Sequence, residues 1–342
     1  MNGFKRICAV IMGMVLLVAG ILKLMDPVGS GLVMEEYFKF LHIGFLRPAA
    51  RILASVFALF ESLLGAALIA GVWRTVIALV SGGLLIFFTL LTIVLYIAQP
   101  AMDCGCFGEA VHLNHAQTLL KNLILDALWC LAFIPIGKLG LPQRIKYVSF
   151  SLAAISLVLF LLFSALSIPL RDYTTFKPGT ELDETPLSFY DANYEYADSL
   201  AMEGDVMVIS AYDADKLEKE DTERIAAFAE QASANGFTVL YLVVSTPDEI
   251  AEKGLNPMLL TSTYFGDRKE LMTLNRSNGG VTYISDGQII RKWSFRSMPN
   301  DNVELTTLKS KDPMDVLLAR QNRTRALFQG FTLYLFAVLL LL

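Results

Sequence analysis

The chain has 342 residues, 54% of them apolar or Tyr and only 18% charged, with a mean hydropathy of +0.52. Soluble globular proteins carry about 25% charge, so a wholly water-soluble enzyme is excluded. Residues 1–170 carry a net +4 and residues 171–342 a net −9. The acidic half argues against nucleic acid as a partner.

Nearly charge-free stretches of bilayer length, about 17–25 residues, recur along the first half. The first runs from Ile7 to Leu22 and is closed by Lys23 and Asp26-Pro27. Lys5-Arg6 fits the start of a signal peptide, but no small-x-small cleavage site precedes Lys23, so it reads as a retained helix. Further spans are expected over Ile52–Trp73 (interrupted by Glu61), Thr75–Met102, Gln117–Gly137 (with Lys121 and Asp126) and Tyr147–Leu170. An apolar tail over Ala326–Leu342 is the sixth candidate. The domains are therefore 1–140, a four-span membrane domain; 141–170, a fifth span; 171–325, a polar domain; and 326–342, the apolar segment.

Lys5, Arg6, Arg74, Lys138, Arg144 and Lys146 fall on one side if the N-terminus is cytoplasmic. Loops 26–50 and 103–116 and the domain 171–325 then lie outside. Lys39, Arg47, Arg51, Arg320, Arg323 and Arg325 run against that pattern.

The outer domain reads as α/β. Asp205–Ala211 and Phe237–Ser245 are buried strand runs, separated by an amphipathic helix over Asp215–Ala234 that Gly236 ends. A short helix is expected over Asp267–Leu274. Gly280–Ile284 and Gln288–Trp293 flank Asp286-Gly287, a hairpin signal. This order resembles a thioredoxin-like fold. The position of that family's Cys-x-x-Cys is held by Ser210-Ala211-Tyr212-Asp213-Ala214, and that of its cis-proline by Asn278-Gly279-Gly280. Such a degenerate domain is expected to bind or dock.

The four cysteines are Cys8, Cys104, Cys106 and Cys130. Cys8 and Cys130 lie within spans and read as small buried apolar residues. Cys104 and Cys106 lie in a short polar loop, Asp103-Cys104-Gly105-Cys106-Phe107-Gly108-Glu109, on the outer face. A disulfide across one residue is strained and exchanges readily, which suits redox traffic; Gly105 makes its tight ring feasible. A loop clip is the plainer reading. Cys104, Cys106, His112 and His115 together form an alternative zinc or copper site, although Cys-x-Cys is tighter than the usual zinc spacing.

Glu61 and Asp126 lie at matching depths of about 15 Å. Intramembrane acids face a bundle interior or cavity and are functional candidates. They are expected to share a proton, to meet Lys23 or Lys121, to form a proton relay, to contact a quinone headgroup, or to make interhelical hydrogen bonds. Gly13, Gly20, Gly65, Gly82 and Gly83 admit close helix approach.

Ala19-Gly20-Ile21-Leu22-Lys23-Leu24-Met25-Asp26-Pro27, Glu61, Asp103-Cys104-Gly105-Cys106-Phe107-Gly108 and Lys121-Asn122 together resemble the DoxX-like membrane proteins, with the MauE (methylamine utilisation) branch the nearer match over residues 1–140. The resemblance implies a four-helix core in a bacterial inner membrane. It also implies a periplasmic role in maturing a disulfide-rich exported enzyme beside a thioredoxin-like partner, or quinone-coupled oxidation, with Cys104 and Cys106 as the redox pair. Here the partner domain is fused and lacks cysteines. Three readings stay open. They are thiol–disulfide exchange with an exported thiol protein or redox carrier docked on residues 171–325, a non-catalytic docking factor, and a Cys/His metal-handling protein.

Overall fold

A computed structural model describes residues 3–100, 102, 104–136, 144–166, 169, 171–246, 259, 261–299 and 301–341. Asp103, Gly137, Lys138, Leu170 and Leu342, named above, lie outside them. The chain divides into two compact units, Met1–Leu166 with Gly330–Leu342, and Ser167–Gln329.

The first unit is helical: α1 (Gly3–Met25), α2 (Pro27–Phe40), α3 (Ala50–Ala70), α4 (Arg74–Ala98), a short strand β1 (Cys106–Glu109), α5 (His115–Phe133) and α6 (Arg144–Leu166). Among the described residues, five helical stretches are long and apolar enough to cross a membrane, namely α1, Gly44–Ala70, α4, α5 and Arg144–Ala165. Many of their large side chains, such as Ile7, Ile86, Leu120 and Leu159, are exposed, as lipid-facing positions are. The expected sixth span lies in the C-terminal part of a longer helix, Pro313–Leu341.

The segment 26–50, expected as a loop, contains α2. Asp26-Pro27 stops α1 and at once starts the next helix. Asp26 Oδ1 accepts the Gly29 amide at 2.9 Å, and Pro27 occupies the first turn, where its missing N–H costs nothing. At the other end of the bundle, Arg6 donates to the carbonyls of Leu68 (2.8 Å) and Ile69 near the end of α3, serving carbonyls that the helix itself leaves open.

Small residues set how closely α1 and α3 approach. A Cβ on Gly65 would lie 2.4 Å from the Leu17 nitrogen, and one on Gly20 2.2 Å from Ser62 Oγ. Gly82 makes room for the Trp129 ring, whose Nε1 donates to the Ala78 carbonyl at 2.9 Å. Gly83 faces open space and plays no such part.

Among the described residues, the second unit has a six-stranded sheet in the order β2-β5-β4-β3-β6-β7. Its strands are β2 (Phe189–Tyr190), β3 (Asp205–Ala211), β4 (Thr238–Val243), β5 (Thr263–Gly266), β6 (Gly280–Ser285) and β7 (Gln288–Trp293). β3 runs parallel to β4, from Val206↔Thr238, and antiparallel to β6, from Asp205↔Ser285. Helix α7 (Lys219–Ala234) makes the crossover and buries Ile225, Phe228, Ala229 and Ala232 in the main core with Met207, Ile209 and Tyr241. It starts later than the expected Asp215, because residues 214–216 form a separate 3₁₀ turn. Asp286 and Gly287 have φ of 46° and 76°, the twist of a type I′ turn, and join β6 to β7 as expected. Asp205 accepts from Tyr283 and Ser285, both at 2.7 Å, and pairs with Lys309 at 2.6 Å.

Candidate functional site

α4 ends at Ala98, and α5 begins under a capping box in which Asn114 and Gln117 each accept the other's amide. Between them the chain folds β1 against α1 and α2. Gly105 has φ +60°, and a Cβ there would lie 2.3 Å from Val33 Cγ1, so both backbone and space demand glycine. The Gly108 amide donates to the Gly105 carbonyl at 3.1 Å, closing a turn that faces Cys104 Sγ and Cys106 Sγ at 3.6 Å. Both are free thiols, Cys104 buried and Cys106 half-buried. The Tyr37 hydroxyl of α2 donates to the Cys104 carbonyl at 2.7 Å and lies 3.7 Å from its sulfur.

The two sulfurs are electrostatically unequal. A hydrogen bond from the Cys104 thiol pulls Cys106 down to about 6 against the opposing effect of burial, and the charges of Lys121 and Lys23 add to the pull. Cys104 is pushed well above the ordinary thiol range by that same bond, by burial and by the Cys106 charge. Lys121 also lies over the Phe107 ring, 5.3 Å from its centre. A low-pKa thiolate beside a protonated thiol is the arrangement of an attacking sulfur next to a resolving one.

Of the intramembrane acids, Glu61 meets Lys23 at 2.5 Å, while Asp126 accepts a hydrogen bond from Thr89 at 2.7 Å. They therefore have different partners. Lys23 also lies 5.9 Å from the centre of the Phe88 ring, next to Thr89 in the chain. The buried Asn122 side chain donates to Thr92 Oγ1 at 2.8 Å and so ties α5 to α4. Of the metal alternative, His112 is exposed, and His115 is buried with Nε2 donating to the Pro100 carbonyl at 3.2 Å. Among the described residues no three His, Cys, Asp or Glu side chains gather to hold an ion. Cys8 is buried as expected. Cys130 is exposed, contrary to expectation, on the side of α5 shared with Leu123 and Leu131.

Residues 1–137 match the family model of methylamine utilisation protein MauE. By this similarity residues 1–137 are termed the MauE unit. No curated protein and no solved structure matches the chain.

Within the MauE unit, sequence reasoning named Cys104, Cys106, Glu61 and Asp126 and weighed Lys23 and Lys121 as partners, but it missed Tyr37. Tyr37 sits on a helix read as loop, 67 positions before Cys104, and no local pattern signals such a pairing. A cavity beside α1, α3 and α6, lined by Leu17, Ala66, Leu157 and Phe160, holds about 10 Å³. That is room for about one water.

In the second unit, the loop after β3 carries no cysteine and is tied shut. The Asp213 amide donates to Asn278 Oδ1 at 3.0 Å, and Asn278 Nδ2 returns a bond to the Asp213 carbonyl at 2.8 Å. The Tyr212 hydroxyl donates to the Arg276 carbonyl at 3.0 Å.

Proposed function

We propose that the MauE unit exchanges disulfides with exported proteins through Cys104 and Cys106. The observation that carries this reading is the 3.6 Å approach of two free thiols of which one, Cys106, is held down to about 6. The Cys106 thiolate attacks one sulfur of a client disulfide, forming a mixed disulfide and releasing the client's other sulfur as thiolate. Cys104 then gives up its proton, which goes to that thiolate, and attacks Cys106 Sγ. The mixed disulfide breaks, leaving a Cys104–Cys106 disulfide and a reduced client. Two electrons pass to the client, and the reverse sequence oxidises a client dithiol. The Lys23–Glu61 pair keeps a cation beside the thiolate.

In this reading the protein lies in a bacterial inner membrane with a cytoplasmic N-terminus, and residues 171–325 are periplasmic. The second unit is a degenerate thioredoxin-like module. Its strand order β4-β3-β6-β7, with β6 reversed, supports that description. The loop closed by Asp213 and Asn278 supports docking of the client there rather than chemistry.

Acid-trapped thiol labelling in intact cells tests the exchange. Cys104 and Cys106 should shift between thiol and disulfide after a pulse of oxidant or reductant. A pair locked in one state through both pulses would sink the reading. A second reading, a docking factor without redox chemistry, rests on that same closed loop. It requires Cys104→Ser/Cys106→Ser to keep full function in cells when the protein still folds.

A further inference from the structure

Arg320 and Arg325, which run against the charge pattern of the spans, have a place in the second unit. A cavity of about 580 Å³ there is lined by Arg171, Lys177, Arg276, Lys292, Arg320 and Arg325, with Asp172 as the single carboxylate among the described residues. Asp172 is committed to Lys292 at 2.7 Å. The lining therefore carries a net charge of about +5 in a half-chain of net −9. Like charges gathered this way repel one another, and a bound anion relieves that cost. The charge of Arg323 and, first, burial already lower Arg320. Arg171 is braced by the rings of Tyr173 and Phe328, its guanidinium carbon 5.2 and 5.3 Å from their centres.

We propose that this cavity binds a phosphate group. The guanidinium forks of Arg171, Arg320 and Arg325 suit phosphate oxygens two at a time, which lysines do not, while Arg276 gives Nη1 to the Met272 carbonyl at 3.1 Å. The excess positive charge suits a phosphate better than a lone carboxylate. The volume exceeds that of bare phosphate and falls within the usual range for small-molecule sites, about 300–1,000 Å³. An anionic lipid headgroup and a soluble phosphate compound share this chemistry. Arg171 follows the end of α6 by only five positions.

The test uses the full chain purified in detergent, with native mass spectrometry against phosphatidylglycerol and phosphatidylcholine, and thermal unfolding with inorganic phosphate or pyrophosphate. The wild type should retain phosphatidylglycerol over phosphatidylcholine, or be stabilised by phosphate or pyrophosphate. The first result identifies a lipid source and the second a soluble one. Arg171→Gln/Arg325→Gln should weaken whichever binding is seen by about tenfold or more. Lys177→Gln, at an exposed position, should fold as wild type and weaken it by about threefold. Arg323→Gln removes a charge that faces a neighbouring cavity instead and should change binding less than twofold. Binding of none of these ligands, or equal weakening by Arg323→Gln, overturns the proposal.

Discussion

The Lys23 ammonium of α1 lies 2.5 Å from the Glu61 carboxylate of α3, their side chains 12% and 4% exposed. The close approach of α1 to α3 at Gly20 and Gly65 sets these side chains opposite each other. A buried ion pair adds little net stability, but removing one partner strands the other charge, at about 3–5 kcal/mol. Lys23 sits in the last turn of α1, from which a long side chain can turn outward, whereas Glu61 has no such exit. Lys23→Met should therefore lower the Tm more than Glu61→Gln. Lys23→Met/Glu61→Met should recover most of the loss, as measured by thermal unfolding in detergent.

Cys106 should titrate well below an ordinary thiol. Alkylation of the reduced protein with iodoacetamide, mapped by mass spectrometry, should rise with pH to half its maximum near pH 6 and fall away below it, because only the thiolate reacts. The hydrogen bond from Cys104 is the largest cause, so Cys104→Ala should move the midpoint up toward the ordinary thiol value of about 8.5. Lys121→Met should move it up by less.

The crossing of α1 and α3 predicts a sharp contrast between two glycines. Gly65→Ala forces a Cβ to 2.4 Å from backbone and should cost about 1–3 kcal/mol, the usual range for overpacking. Gly83→Ala meets nothing within 4 Å and should leave the unfolding temperature unchanged or raise it slightly through helix propensity.

Asp205 gives the second unit an acid-sensitive link. Burial opposes its charge, but hydrogen bonds from Lys309, Tyr283 and Ser285 win and lower its pKa. A depressed carboxylate adds stability that is present above its unfolded pKa, about 3.9, and is lost as pH falls through the lower folded value. The Tm gap between wild type and Asp205→Asn should be wide at pH 7 and shrink below about pH 4.

Sequence reasoning located β3 at Asp205–Ala211 and the hairpin at Asp286-Gly287, because alternation, continuous apolar runs and turn chemistry are local. It also found the five helices long and apolar enough to span a membrane among the described residues, α1 and α3 to α6, whose bounds lie within about four residues of the apolar runs. It missed α2, since Asp26-Pro27 is equally good at stopping one helix and starting the next. It also misjudged Cys130, because a residue within an apolar span faces either the bundle or lipid, and composition alone does not say which.

By itself, then, the sequence determined that this is a multi-pass membrane protein with a separate polar unit and a paired-cysteine loop, because span length, charge and residue spacing are written locally. Only the tertiary structure decided which charges meet. Glu61 went to Lys23 and Asp126 to Thr89. Tyr37 came to rest on Cys104 across 67 positions, and cations from four separate stretches of chain came to line one cavity. Such pairings depend on how closely helices and strands far apart in the chain approach, and small residues such as Gly20 and Gly65 set that distance without specifying which side chains it will bring together.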